Sequence, residues 1–342
     1  MSSTSPNSGA PSGFASKQKE TGNPSSGRRD MLLLGGLFAL MIFGLIGLAA
    51  ATGWEETWAH ITSLGPLEIA ALLALSLVNY TFRGARWHLF ATRLGLETGF
   101  VQNQRHFLGG FAMTATPGRV GELIRMRWLR RETGWSFERT APLVLVDRAS
   151  DLAAMALILA LGLVFSTIGI TGAVPVVILA LGAAYVATRP KLLGLVATLA
   201  YRALGRFGRL FAKVRRASKA LQAFTNPWII VLASGIGIIG WLAEGYAFYL
   251  LLMWMGADIG FWTATAIFVF SALAGGLTGA PGGVGGAEAA MVALLALQGV
   301  PLEVSVPATL IIRVTTLWFA IGVGLAVFPF AERISKRGAY AD

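Results

Sequence analysis

The chain contains no cysteine. A disulfide framework and a thiolate metal site are therefore excluded, and the redox compartment leaves no mark on the composition. Histidine is nearly as scarce, with three residues and no metal-ligand spacing among them. No Asp-x-Asp pair occurs, so the acidic metal cluster that often holds a nucleotide sugar has no obvious seat. Charge is thin throughout: 13% of the 342 residues are Asp, Glu, Lys or Arg, against about 25% in soluble domains. Acids are the scarcer sign, 17 against 28 bases, for a net charge of +11.

The missing charge is concentrated. Met31–Ala51 carries none over 21 residues, Ala154–Thr188 none over 35 and Ile259–Ala287 none over 29. A helix crosses a bilayer with roughly 20 apolar residues, and 55% of the chain is hydrophobic. The composition is that of an integral membrane protein. The basic excess flanks the apolar runs, which is a topology signal rather than a nucleic-acid footprint. No nucleic-acid partner is expected.

Residues 1–29, rich in Ser, Gly, Pro and Asn, read as a disordered tail. Arg28 and Arg29 then precede an apolar run too long for a signal peptide and without a clean cleavage site, so an uncleaved first helix is expected. Crossing helices are predicted at about 31–51, 66–82, 140–165, 171–188, 228–252 and 304–329. A polytopic membrane domain over 30–332 and a cytoplasmic tail over 333–342 complete the division.

Two further apolar stretches, about 104–130 and 262–298, carry a motif that occurs twice. Residues 116–122 read Thr-Pro-Gly-Arg-Val-Gly-Glu, and 280–288 read Ala-Pro-Gly-Gly-Val-Gly-Gly-Ala-Glu. Glu122 is followed by Arg148 after 26 residues, and Glu288 by Arg313 after 25. Each stretch is broken by Pro-Gly near its middle, at Pro117 and Pro281, and neither half of the first is long enough to cross. Both read as re-entrant hairpins, a form tolerated only where the irregular tip is buried in protein or lines a wet cavity.

With a cytoplasmic N-terminus, the inner pieces hold Arg83, Arg86, Arg93, the Arg125–Arg131 cluster, Arg139, the 189–227 loop and the Arg333–Arg337 tail. The outer pieces hold Glu55, Glu56, Asp258 and Glu303 and no base. Only Arg119, Arg148 and Arg313 then fall at membrane depth. This satisfies the positive-inside rule, and three crossings between the hairpins make them enter from opposite sides. The expected fold is all-α: six crossing helices plus two re-entrant helical hairpins in an inverted repeat, the architecture of alternating-access carriers. The expected location is a bacterial cytoplasmic membrane with both termini cytoplasmic.

The 189–227 loop has nine Lys or Arg and no acid. Leu204, Phe207, Phe211, Val214 and Leu221 form a stripe with the bases largely off it, so a basic amphipathic segment on an anionic leaflet is predicted. Arg83, Arg86 and Trp87 are expected to end the second helix as interface anchors, or else as a headgroup entrance.

Charges deep in a bilayer cost at least roughly 2.5–3.5 kcal/mol and mark pathways. At the tip of hairpin one, Gly118 and Gly121 admit a ligand to the free N–H groups of a half-helix, where Arg119 adds a fork suited to phosphate. Arg119 could equally pair with an acid and hold the hairpin. Glu122 and Glu288 either cap their half-helices or pair with Arg148 and Arg313. Asp147 and Asp151 lie one turn apart around Arg148, and Glu244 is alone in its span. These three acids, with the hinges Pro117 and Pro281, are candidates for gating or proton coupling.

At Arg83-Gly-Ala-Arg-Trp87, Thr116–Glu122, Asp147-Arg148 with Asp151, Ala280–Glu288, and Arg313 followed by Trp318, the chain resembles the flippase-like membrane family. That family includes the transmembrane region of lysylphosphatidylglycerol synthase, the multiple peptide resistance factor. The resemblance covers roughly residues 31–330. It implies a lipid-translocating domain with two re-entrant hairpins around a cavity, and a polar core at Arg119, Glu122, Arg148, Glu288 and Arg313. No aminoacyltransferase domain follows the membrane part, so the chain is not expected to make lysyl lipids by itself. Some relatives belong to polyprenyl-phosphate sugar or hopanoid pathways.

The expected function is that of a lipid flippase: not an enzyme, without cofactor or metal, moving a phospholipid or polyprenyl- or hopanoid-type lipid. Two alternatives stand beside it. One is a transferase acting on polyprenyl-phosphate lipids. The other is a non-transporting partner of a lipid-modifying enzyme.

Overall fold

The computed structural model describes residues 64–114, 120–165, 173–189, 221–224 and 226–338, together with 55, 58, 59, 62, 191, 192, 194, 195, 198 and 199. The predicted tail and first helix, most of the basic segment, and Pro117, Gly118 and Arg119 lie outside them. Every regular element among the described residues is helical.

Helix α1 spans Pro66–Leu94, with proline in its first turn and Gly95 closing it at φ 90°. Proline costs nothing where the N–H groups have no helical partner, and glycine takes the left-handed cap without strain. Helices α4 (Phe137–Phe165) and α5 (Ala173–Thr188) follow hairpin one. Helix α6 (Pro227–Trp254) starts at Asn226, whose side chain accepts the Trp228 N–H, a standard cap. Three helical segments are long and apolar enough to span a membrane: Phe137–Phe165, Trp228–Trp254 and Leu302–Arg337. They fall on the predictions at 140–165, 228–252 and 304–329.

One expectation is corrected. Helix α1 does not stop near residue 82 but runs on to Leu94. Arg86 and Trp87 are fully buried and anchor no interface. Nothing after 82 breaks the helix, and the two arginines find carboxylates on α4, so the extra turns stay inside the protein.

Hairpin one is α2 (Phe100–Gly110), a 3₁₀ turn (Phe111–Met113) and α3 (Val120–Thr133). Its limbs close so tightly that a Cβ on Gly121 would collide with the Gly110 carbonyl oxygen. Hairpin two is α7 (Phe261–Leu277), a 3₁₀ turn (Pro281–Gly283) and α8 (Gly286–Leu297). Gly282 at its tip has φ 65°, a conformation glycine adopts freely.

Both hairpins rest on one long helical run: α9 (Leu302–Arg313), a π segment (Val314–Trp318) and α10 (Phe319–Gly338). Hairpin two leads into α9 through a turn at Gly299, and its tip at Gly282 faces Leu317. Hairpin one lies on α10. Near its base, Arg127, Trp128 and Arg131 reach Glu332, and near its tip Ala112 abuts Gly324. The two hairpins therefore approach from opposite ends of one rod. Their tips stop seven residues apart on it, about 10 Å at 1.5 Å per residue.

Two large apolar cores result, with a small third cluster of Ile124, Trp128 and Ala331 where hairpin one meets α10. One gathers Leu72, Met155, Phe248, Ile267, Leu295 and Ile312 around hairpin two. The other gathers Trp87, Phe90, Phe107, Leu129, Leu143 and Val146 around hairpin one. Along α4 the charged Asp147–Asp151 stretch falls between them, along α6 it is Glu244, and along the long rod it is Arg313. The charged residues form a polar waist between two greasy halves.

Candidate functional site

Around the waist, α1 presents Arg83 and Arg86 one turn apart, and α4 presents Asp147 and Asp151 one turn apart. The two ladders interlock. Arg86 Nη2 donates to Asp147 Oδ1 and to Asp151 Oδ1, both at 2.7 Å. Arg83 Nη2 donates to Asp151 Oδ2 at 2.8 Å, and Trp241 Nε1 adds a bond to Asp151 at 3.2 Å. Arg86 has no solvent exposure at all. Buried ions on this scale persist only when charge and hydrogen-bonding capacity are matched.

The repeated motif places its acids and bases in two further pairs. Arg148 Nε donates to Glu122 Oε1 at 2.6 Å. Arg313 Nε donates to Glu288 Oε1 at 2.6 Å. The second pair is more elaborate: Glu288 Oε2 accepts the Gly285 N–H at 2.7 Å, and Arg313 Nη2 donates to the Gly282 carbonyl at 2.8 Å. Glu288 thus both caps its half-helix and holds the arginine. Tyr80 donates to the Thr316 carbonyl, tying α1 to the π segment.

Between the hairpin tips lies a cavity of roughly 190 Å³. Hairpin one contributes Gly110, Thr114, Gly121, Glu122 and Arg125, α4 contributes Arg148, and hairpin two contributes Ala272, Gly276 and Gly279–Gly283. Among the predicted site residues, Gly121, Glu122, Arg148 and Pro281 are on the wall. Glu288 and Arg313 stand behind the tip of hairpin two and fix its shape through Gly282. Asp147 and Asp151 form a layer behind Arg148. Glu244 is buried on α6, away from the wall.

Sequence reasoning missed Arg125. It is 4% exposed, yet its guanidinium makes no hydrogen bond or ion pair among the described residues. It lies 4.1 Å from the Phe107 ring centroid, with Trp87 and Phe111 nearby, a desolvated cation–π seat. The signal was present: Arg125 is three residues after Glu122, so both lie on one face of α3. Counting it with the Arg125–Arg131 surface cluster hid this. Arg83 and Arg86 were missed for a similar reason, although their one-turn spacing mirrors that of Asp147 and Asp151.

Fold and site define a helical membrane protein with a cavity lined by two hairpins. The family model of the lysylphosphatidylglycerol synthase TM region matches residues 32–324, and the chain belongs to that family. A UPF0104 membrane protein from Methanothermobacter thermautotrophicus is 30% identical over 111 residues, 32% of this chain and 32% of that protein. The match spans about a third of that relative's length.

Proposed function

We propose that the protein is a lipid flippase that passes an anionic headgroup through the chamber while the acyl chains stay in the bilayer. The observation that carries the reading is the buried Arg125, without a hydrogen bond or ion pair among the described residues, on the wall of a cavity lined by both hairpins. A guanidinium held dry and without a carboxylate favours an anion that replaces the missing partner, and phosphate fits its fork. The Glu122–Arg148 pair on the same wall can open toward a zwitterionic or anionic headgroup. Membrane carriers repeatedly build their sites from broken helices related by inversion. In this reading the two hairpins are re-entrant, six helices cross, and the tips gate the chamber alternately.

The test is proteoliposomes containing only this protein and a trace of acyl-labelled fluorescent phosphatidylglycerol, with dithionite bleaching reading the outer leaflet. Wild type should render nearly all of the probe bleachable within the assay. Arg125→Ala should slow this at least tenfold and Arg125→Lys less. An unchanged leaflet distribution with wild type refutes the proposal. The hairpin orientation has its own check on this cysteine-free chain: Glu97→Cys and Leu297→Cys should react with a membrane-impermeant thiol reagent from opposite sides.

A further inference from the structure

Among the described residues, five arginines and five acids meet in the polar waist. Arg83, Arg86, Arg148 and Arg313 are paired with Asp147, Asp151, Glu122 and Glu288. Arg125 and Glu244 are left over. Arg125 faces the cavity. Glu244 faces the interior of the bundle, 6% exposed, with no hydrogen bond or ion pair among the described residues.

The surroundings of Glu244 are specific. From α1, Tyr80 and Arg83 act on it; from α4, Asp151; from α9, Arg313. Helix α7 brings the uncharged Thr265 against Gly245. Gly240, one turn before Glu244 and on the same face of α6, packs on Asn79. Asn79 and Ser76 are fully buried, and their side-chain polar atoms have no partner. The carboxyl group therefore sits in a polar seam with spare hydrogen-bonding capacity nearby, within electrostatic reach of Arg83 and Arg313, which belong to two different ion-pair systems.

That placement is asymmetric in a useful way. Arg313 is held by Glu288, which belongs to hairpin two, whereas Arg83 is held by Asp151 in a tie between α1 and α4 that involves neither hairpin. If hairpin two moves, Arg313 is loosened from its carboxylate while Arg83 keeps its own. A loosened guanidinium can pair with Glu244 only if Glu244 is ionised, and an isolated ionised carboxylate is expensive to bury.

We propose that Glu244 is a proton-binding site that couples headgroup movement to a proton gradient. Its carboxyl group releases a proton to the open side as a freed arginine pairs with the carboxylate, and takes one up when that arginine returns to its own acid. One O–H bond breaks and re-forms per cycle, and no other reactant is needed. The inference rests on the translocation reading above.

The experiment has two arms. Infrared spectra of the purified protein at neutral pH should show a protonated-carboxyl band that shifts in D₂O and disappears in Glu244→Gln. Absence of that band in wild type overturns the proposal whether or not transport is seen. In proteoliposomes clamped at zero voltage, a gradient of one pH unit should sustain up to about a tenfold leaflet asymmetry of the phosphatidylglycerol probe for one proton per lipid, one pH unit being a factor of ten. Glu244→Gln should abolish the asymmetry but retain gradient-independent exchange, and Glu244→Asp should restore part of it. Wild-type translocation indifferent to the gradient, or a full gradient response in Glu244→Gln, overturns the coupling and leaves the flippase reading standing. No translocation by wild type sinks the flippase reading.

Discussion

The two repeat-related ion pairs look alike in sequence but are unequal in the structure, and that inequality can be measured. The side chains of Arg313 and Glu288 are 10% and 7% exposed, whereas those of Arg148 and Glu122 are 35% and 16% exposed. Glu288→Gln leaves the Arg313 guanidinium buried against one carbonyl, and removing one member of a buried pair costs about 3–5 kcal/mol. At about 2 °C per kcal/mol for a chain of this size, Tm should fall by roughly 6–10 °C. Glu122→Gln leaves Arg148 about a third exposed at the cavity wall with Asp151 still 3.7 Å away, nearer the exposed limit, where pairs are worth at most about 1 kcal/mol. Its Tm should fall by no more than roughly 2 °C, while translocation changes strongly because the residue lines the path. The assay is thermal unfolding in one detergent, followed by a double-mutant cycle with Arg313→Gln and Arg148→Gln. Equal losses for the two acids, or a larger loss for Glu122→Gln, would refute the assignment of Glu288 to the framework and Glu122 to the cavity.

Three further outcomes are expected. Gly121→Ala should destabilise by about 1–3 kcal/mol, read as a lower thermal midpoint, because its new methyl meets the Gly110 carbonyl and pries the limbs of hairpin one apart. Glu332→Gln should weaken the tie between α3 and α10, since this carboxylate receives Arg127, Trp128 and Arg131 together; proteolysis within Gln102–Met113 should quicken several-fold relative to wild type. Burial pushes Glu132 upward, yet His106 at 3.1 Å, with the hydrogen bonds from Gln102 and Arg105, holds its carboxyl group below the ordinary range. Its stabilising contribution is complete above that range and is lost as pH falls through the lowered native value. The Tm gap between wild type and Glu132→Gln should therefore be fully open at pH 7 and narrow below about pH 4.

Much of the helical framework was readable because apolar runs and Pro or Gly punctuation act locally. The runs at 140–165 and 228–252 had to be buried in lipid or protein whatever their neighbours did, and Pro227 marks a helix start by its own backbone preference. The Glu-to-Arg spacings of 26 and 25 pointed to paired charges, and those pairs form. Burial of a charge was harder to read. Arg83 and Arg86 look like interface anchors until the register of α1 against α4 is known, because a base is the same residue whether it ends a helix in water or meets an aspartate inside. Arg125 looks like part of a surface cluster until the aromatic rings of α1 and α2 are seen closing over it.

The chain by itself determined that this is a helical membrane protein with a twice-made broken hairpin, since length, apolarity and backbone breakers suffice for that. Only the tertiary structure decided which charges meet. Among the described residues, four arginines are neutralised by acids far away in sequence, leaving Arg125 open toward the cavity and Glu244 without an ion pair. Ion pairing depends on distances of a few ångströms between separate helices, and no local pattern fixes those.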